Sequence, residues 1–126
     1  MSKLFFKRSL RPRSFQDYEA IIFVVDAADR NSFQEAREEL WSFLKFAPDE
    51  MTHPVLMVLA NKQDMKNAAT TQEIEKVLDL KKLPNTVQYE VMPTCAETGN
   101  GLITSLDWLT RTIKENRSKN VTATYL

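Results

Sequence analysis

The chain has 126 residues, balances 17 Lys and Arg against 17 Asp and Glu for zero net charge, and contains two Gly and one Cys. That length suits one domain with a modest core, and the charge balance gives no general pull toward nucleic acid. Lone Cys95 excludes an internal disulfide and fits a reducing, intracellular setting, while the apolar runs are too short to span a bilayer.

At the amino end, Lys3, Lys7, Arg8, Arg11 and Arg13 precede the first acid, Asp17, with Leu4-Phe5-Phe6 among them. This composition predicts a basic, poorly ordered leader over 1–17, with contact to an anionic membrane surface as the competing reading. Ser2 stands where N-myristoylation needs glycine, so that anchor is not inferred.

A folded unit is predicted over 18–115. Ala20 to Val25 and Val55 to Ala60 are continuous β-rich apolar runs, as expected for strands buried on both faces of a parallel sheet. Between them Phe33, Ala36, Leu40, Phe43, Leu44 and Ala47 recur at helical spacing, Ser32-Phe33-Gln34-Glu35 reads as a capping box, and Pro48 stops the helix. Thr70 or Thr71 caps a shorter helix with Ile74, Val77 and Leu78 on one face.

Val87, Tyr89 and Val91 then alternate with Gln88 and Glu90, the pattern of a half-exposed outer strand. A last helix starts near Gly101, is expected to bury Leu102, Leu106, Leu109 and Ile113, and frays into a polar flexible tail over 116–126. His53 reads as a loop residue, and Trp41 and Trp108 as packing residues. Alternation of three strands with three helices implies an α/β fold with parallel strands, and loops at the carboxyl ends of such strands are where ligands usually sit.

Two of those loops carry chemistry. Asn61-Lys62-Gln63-Asp64 follows the second strand. Ionised Asp64 can accept two parallel hydrogen bonds from the ring N–H and exocyclic amine of guanine, an arrangement adenine cannot match. Asn61 can meet the other edge and tie loops together, and the Lys62 stem can lie over the ring. With 7 Asn, 10 Lys and 7 Asp in the chain, Asn-Lys-x-Asp is expected by chance about 0.03 times; the competing reading is a polar turn.

Thr94-Cys95-Ala96-Glu97-Thr98-Gly99-Asn100-Gly101 follows the third strand and holds both glycines. Small Cys95 and Ala96 would let a backbone N–H approach a ligand, and the glycines permit a tight turn into the helix. A plain glycine turn is the alternative.

These stretches, together with Ile21-Ile22-Phe23-Val24-Val25-Asp26-Ala27-Ala28-Asp29-Arg30, Glu35 to Leu40 and Leu106-Asp107-Trp108-Leu109, resemble the carboxyl-terminal part of small GTPases of the Arf and Arf-like family. The similarity runs from about Tyr18 to about Glu115. It implies a partial P-loop GTPase (Ras-like) fold with its amino-terminal half missing. It also implies a nucleotide-binding set of Asn61, Lys62, Asp64, Cys95 and Ala96, with the Ala96 N–H meeting the base carbonyl. GTP or GDP is the implied cofactor, magnesium accompanies it in the family, and effectors or exchange factors are the implied partners. The implied setting is cytoplasmic, peripheral to endomembranes, in vesicle traffic.

A phosphate-binding loop needs Gly-x-x-x-x-Gly-Lys-Ser/Thr; with Gly99 and Gly101 as the only glycines, these 126 residues hold none. The family's Asp-x-x-Gly-Gly-Gln segment is missing as well, because Asp26-Ala27-Ala28-Asp29 ends in Asp29 rather than glycine. No catalytic residue and no magnesium ligand can be assigned, so nucleotide binding is expected to be weak. The strand from Ala20 to Val25 is expected to expose an edge that invites self-association or docking of another segment. A nucleotide-free interaction or decoy module and a nonfunctional truncated product are the alternative readings.

Overall fold

The structure, a computed structural model, describes residues 3–4, 20–45 and 55–125, with side chains described within 20–45 and 55–116. Most of the basic leader, including the stretch Arg8 to Gln16, lies outside the described residues, as do Ala47, Pro48 and His53. The elements are β1 (Lys3–Leu4), β2 (Ile21–Asp26), α1 (Phe33–Leu44), β3 (Val55–Asn61), α2 (Thr71–Val77), β4 (Gln88–Pro93) and α3 (Leu102–Tyr125).

They form one sheet in the order β1-β2-β3-β4. The three strands predicted to be parallel are so, with Asp26 opposite Asn61 and Ala60 opposite Pro93. This register brings the carboxyl ends of β2, β3 and β4 to one edge, and the loops that follow them meet there.

The period-2 alternation of β2 and β3 divides the core. Ile21, Phe23 and Val25, with Leu56, Val58 and Ala60, face α1 and α2, where Ala36, Leu40, Ile74, Leu78 and Leu80 complete a fully buried cluster. Val55 and Met57 point to the opposite face and pack with Leu109 of α3. Burying a side chain such as Phe23 stabilises the fold by about 1.5–3 kcal/mol. β4 is the outer strand: Val91 is buried, Gln88 is exposed, and the Tyr89 hydroxyl donates to the Glu75 carboxylate of α2. That bond, aided by burial, pushes the phenol up to about 12.

The helix ends depart from expectation in three ways. Ser32 does not cap α1 with its side chain; it closes a 3-10 turn, Arg30–Ser32, by donating to the Asp29 carbonyl at 2.7 Å. The capping box belongs to α2, where the Thr70 hydroxyl accepts from the Glu73 amide and the Glu73 carboxylate from the Thr70 amide, both at 3.1 Å. The backbone of α3 continues through Tyr125 instead of fraying at 116–120, since no Gly or Pro interrupts Leu102–Tyr125.

α3 is also rotated from the predicted face. Leu109 is buried, but Leu106 is 53% exposed, and the buried stripe runs through Ser105, Leu109, Thr112 and Asn116. Ser105 and Thr112 can be buried because their hydroxyls donate to the carbonyls one turn back, Gly101 at 2.6 Å and Trp108 at 2.8 Å.

The edge of β2 predicted to be open carries β1, which pairs antiparallel through Lys3 opposite Val24 and Leu4 opposite Phe23. Docking of another segment is thus met by the chain itself. Replacing both Lys3 and Leu4 with proline removes from this contact whichever backbone donor faces β2. The double variant is expected to self-associate at concentrations where the parent sediments as one species; unchanged sedimentation velocity would refute the protective role.

Candidate functional site

At the common edge, the loops after β2, β3 and β4 are joined by backbone bonds. Ala27 N–H donates to the Asn61 carbonyl (3.0 Å), Ala69 N–H to Ala27 (2.8 Å), Gln63 N–H to Thr94 (3.1 Å) and Thr94 N–H to Ala60 (3.1 Å). The Gln63 carboxamide adds two more, donating to the carbonyls of Ala60 at 3.1 Å and Ala69 at 3.0 Å. These bonds satisfy the backbone where the ladders end and fix the relative positions of three turns.

Asn61 is the side chain that connects the two loops singled out from sequence. Its Oδ1 accepts from the Thr94 hydroxyl and from the Ala96 amide, each at 3.0 Å. Its Nδ2 makes no hydrogen bond to a described residue and remains the group able to meet a ligand.

Lys62 adopts a left-handed backbone, φ 68°, and places its ammonium 3.0 Å from Asp26 Oδ2. Asp26 Oδ1 accepts from the Ala28 amide at 3.0 Å. Burial alone would raise the Asp26 carboxyl, but hydrogen-bonding partners that include the Lys62 ammonium and the Ala28 N–H hold it below the ordinary value of 3.8. The same ion pair raises the Lys62 ammonium above 10.5, with weaker help from Glu97 and Asp29.

Asp26, Asn61, Lys62, Asp64, Cys95 and Ala96 line one cleft of about 640 Å³, and Met65 and Glu97 also border it. That volume is within the range of small-molecule sites. All five residues expected to contact nucleotide therefore share a cleft, yet they differ in availability. Asp64 is exposed, the Cys95 side chain is buried and contributes shape, and the Ala96 N–H is held by Asn61. A base carbonyl must share or take over that N–H.

The turn after Ala96 is closed by Gly99 N–H to the Cys95 carbonyl (2.8 Å) and Cys95 N–H to Asn100 (3.0 Å). Gly99 and Gly101 have φ of 81° and 82°. A Cβ on Gly101 would lie 2.1 Å from the Pro93 carbonyl oxygen, whereas one on Gly99 would meet nothing within 4 Å.

Sequence reading passed over Asp26, Gln63 and Thr94 as positioning residues. Asp26 had a signal: like Asn61, it is the first polar residue after an apolar strand. Gln63 and Thr94 act through backbone partners distant in sequence, which spacing does not display. Among the described residues no group of three His, Cys, Asp or Glu side chains could hold a metal ion.

Gly101→Ala combines positive φ with a steric clash against backbone and is expected to cost about 3 kcal/mol or more; Gly99→Ala should cost about 1 kcal/mol. Equal losses in denaturant melts would refute the distinction. Because the Asp26 pKa is lowered on folding, its contribution is present above about 3.8 and disappears as pH falls through the folded value. Asp26→Asn should therefore be less stable than the parent at pH 7, with the gap closing toward pH 3, as read by melting temperature against pH; a gap independent of pH would contradict the ion-pair account.

No described helix is long and apolar enough to cross a membrane. The model of the ADP-ribosylation factor family matches residues 7–113, well over half of the chain. The two loops at the cleft and the strands that deliver them lie inside that match. The chain belongs to the ADP-ribosylation factor (Arf) family of small GTPases.

Proposed function

We propose that this chain carries the guanine-reading part of an Arf-type GTP/GDP switch, over the unit 18–115, and that these 126 residues lack the phosphate-binding loop and switch regions. The observation that carries the reading is the placement of Asp64, the Asn61 carboxamide and the Ala96 amide around one cleft. Asp64 accepts from the ring N–H and exocyclic amine of guanine, the Asn61 Nδ2 donates to the ring nitrogen on the opposite side, and the Ala96 N–H meets the carbonyl. Adenine leaves Asp64 facing a mismatched edge, and an unpaired polar group in the pocket is what discriminates. Within a complete switch of this kind the partners are effectors and exchange factors, and the setting is the cytoplasmic face of endomembranes during vesicle traffic.

Magnitudes limit what the chain does alone. Two or three hydrogen bonds to a charged group, at about 1.5–3 kcal/mol each, oppose an association cost of at least about 4 kcal/mol. The surplus corresponds to millimolar affinity or weaker. Phosphoryl transfer rests on positioning and charge stabilisation of the phosphates, and no described residue is assigned to that task.

A second reading has one observation in its favour. The Ala96 N–H and the Lys62 ammonium already have protein partners, so the chain's own groups tie the loops together. A nucleotide-free interaction or decoy module would use a scaffold held together in that way. Partner capture that survives Asp64→Asn would favour it.

Titrating the 126-residue chain with GDP should shift the backbone amides of Asn61, Asp64 and Ala96 in NMR spectra, with a Kd of about millimolar or weaker. ADP should shift them less, Asp64→Asn should abolish the preference, and GTP should release no phosphate above the blank. Equal responses to GDP and ADP would overturn the base reading, and sub-micromolar GDP binding would overturn the assignment of weak affinity.

A further inference from the structure

With Gly99 and Gly101 the only glycines, Asn100-Gly101 is the one asparagine-glycine pair in the sequence. The backbone nitrogen that follows an asparagine can close a five-membered ring on the carboxamide carbon, and a glycine in that place leaves the approach open because it has no Cβ. The turn before α3 leaves both reacting groups free. Asn100 is exposed, and its carboxamide makes no hydrogen bond among the described residues; only its backbone is engaged, the N–H donating to the Thr98 hydroxyl at 3.3 Å and the carbonyl accepting from the Cys95 N–H at 3.0 Å. The Gly101 N–H has no acceptor there either.

At other asparagines one of the two groups is held. The Asn61 carboxamide accepts from Thr94 and Ala96, and that of Asn67 donates to the Ala28 carbonyl at 3.1 Å. The N–H that follows Asn31 belongs to Ser32 and donates to the Asp29 carbonyl at 3.0 Å. Asn116 is buried on α3. The fold therefore protects these positions and leaves Asn100 open to reaction.

We propose that Asn100 is a site of spontaneous deamidation and isoaspartate formation in the folded chain. The Gly101 nitrogen gives up its proton and attacks Asn100 Cγ. A bond forms between them, the bond from Cγ to the carboxamide nitrogen breaks, and that nitrogen takes up the proton and leaves as ammonia. Water then opens the cyclic imide at one of its two carbonyls, leaving aspartate or isoaspartate at position 100. Isoaspartate carries the main chain through the former side-chain carbon and so inserts one extra backbone atom. That atom falls between the bridge of Cys95 with Asn100 and Gly101, which is packed so closely that a Cβ on it would lie 2.1 Å from the Pro93 carbonyl oxygen. Isoaspartate therefore loosens the turn and the start of α3. Aspartate keeps the main chain intact and places its charge ahead of the amino end of α3, where a helix favours an anion.

The test is to age the full chain at neutral and mildly alkaline pH and to follow each asparagine by peptide mass spectrometry, with enzymatic methylation of isoaspartyl carboxylates as the second readout. Conversion should appear at Asn100 ahead of every other asparagine, and its rate should rise about tenfold for each pH unit while the attacking N–H stays mostly protonated. Asn100→Gln, whose longer side chain would have to close a larger ring, should abolish the isoaspartyl signal at this position. Aged protein should melt below the parent, and Asn100→Asp should not. Conversion of another asparagine at an equal rate in the folded chain, or none at Asn100 while the urea-unfolded chain converts there, would overturn the site. Aged protein rich in isoaspartate that melts with the parent would overturn the loosening of the turn.

Discussion

The architecture depends on register. Because β2, β3 and β4 run parallel with Asp26 opposite Asn61 and Ala60 opposite Pro93, their last residues fall along one line, and three loops distant in sequence open onto the same edge. A slip by one residue would turn the buried set Phe23, Val25, Leu56, Val58 toward the wrong face. The apolar core therefore specifies the geometry of the polar cleft, and the energy that fixes the site comes from side chains that never touch it.

At that edge the protein uses its own polar groups in place of a ligand. Asn61 bridges Thr94 and Ala96, Gln63 closes the turn between Ala60 and Ala69, and the Lys62–Asp26 pair joins the first two loops. Buried or half-buried polar atoms left without partners would cost about 1–3 kcal/mol each. Satisfying them internally keeps the loops in place, and any ligand that engaged the Ala96 N–H or the Lys62 ammonium would exchange existing bonds for new ones.

Most of the strand and helix pattern was legible because burial writes itself as periodicity. β3 is buried on both faces and appears as an unbroken apolar run, whereas β4 is an outer strand and appears as alternation. The faults in the reading have physical reasons. Ser105 and Thr112 look polar yet are buried, since each hydroxyl satisfies itself on its own helix, and Leu106 is left half-exposed in consequence. Ser32-x-x-Glu35 and Thr70-x-x-Glu73 have the same spacing, but only the second forms the box, because Thr70 is extended at φ −72°, ψ 165° while Ser32 is already coiled in a 3-10 turn. The Asn61-Lys62-Gln63-Asp64 stretch was legible as a motif; the positioning roles of Asp26, Gln63 and Thr94 were not, because their partners lie on other loops.

Among the described residues the sheet ends at β1, a strand of two residues. A further strand arriving at this side meets the two-residue backbone of Lys3–Leu4, running against the direction of its neighbours, in place of the six-residue ladder of β2. A template that brief offers too few rungs to nucleate another chain, which is how natural sheets blunt an edge without covering it. Among the described residues, that short antiparallel strand closes the sheet on that side.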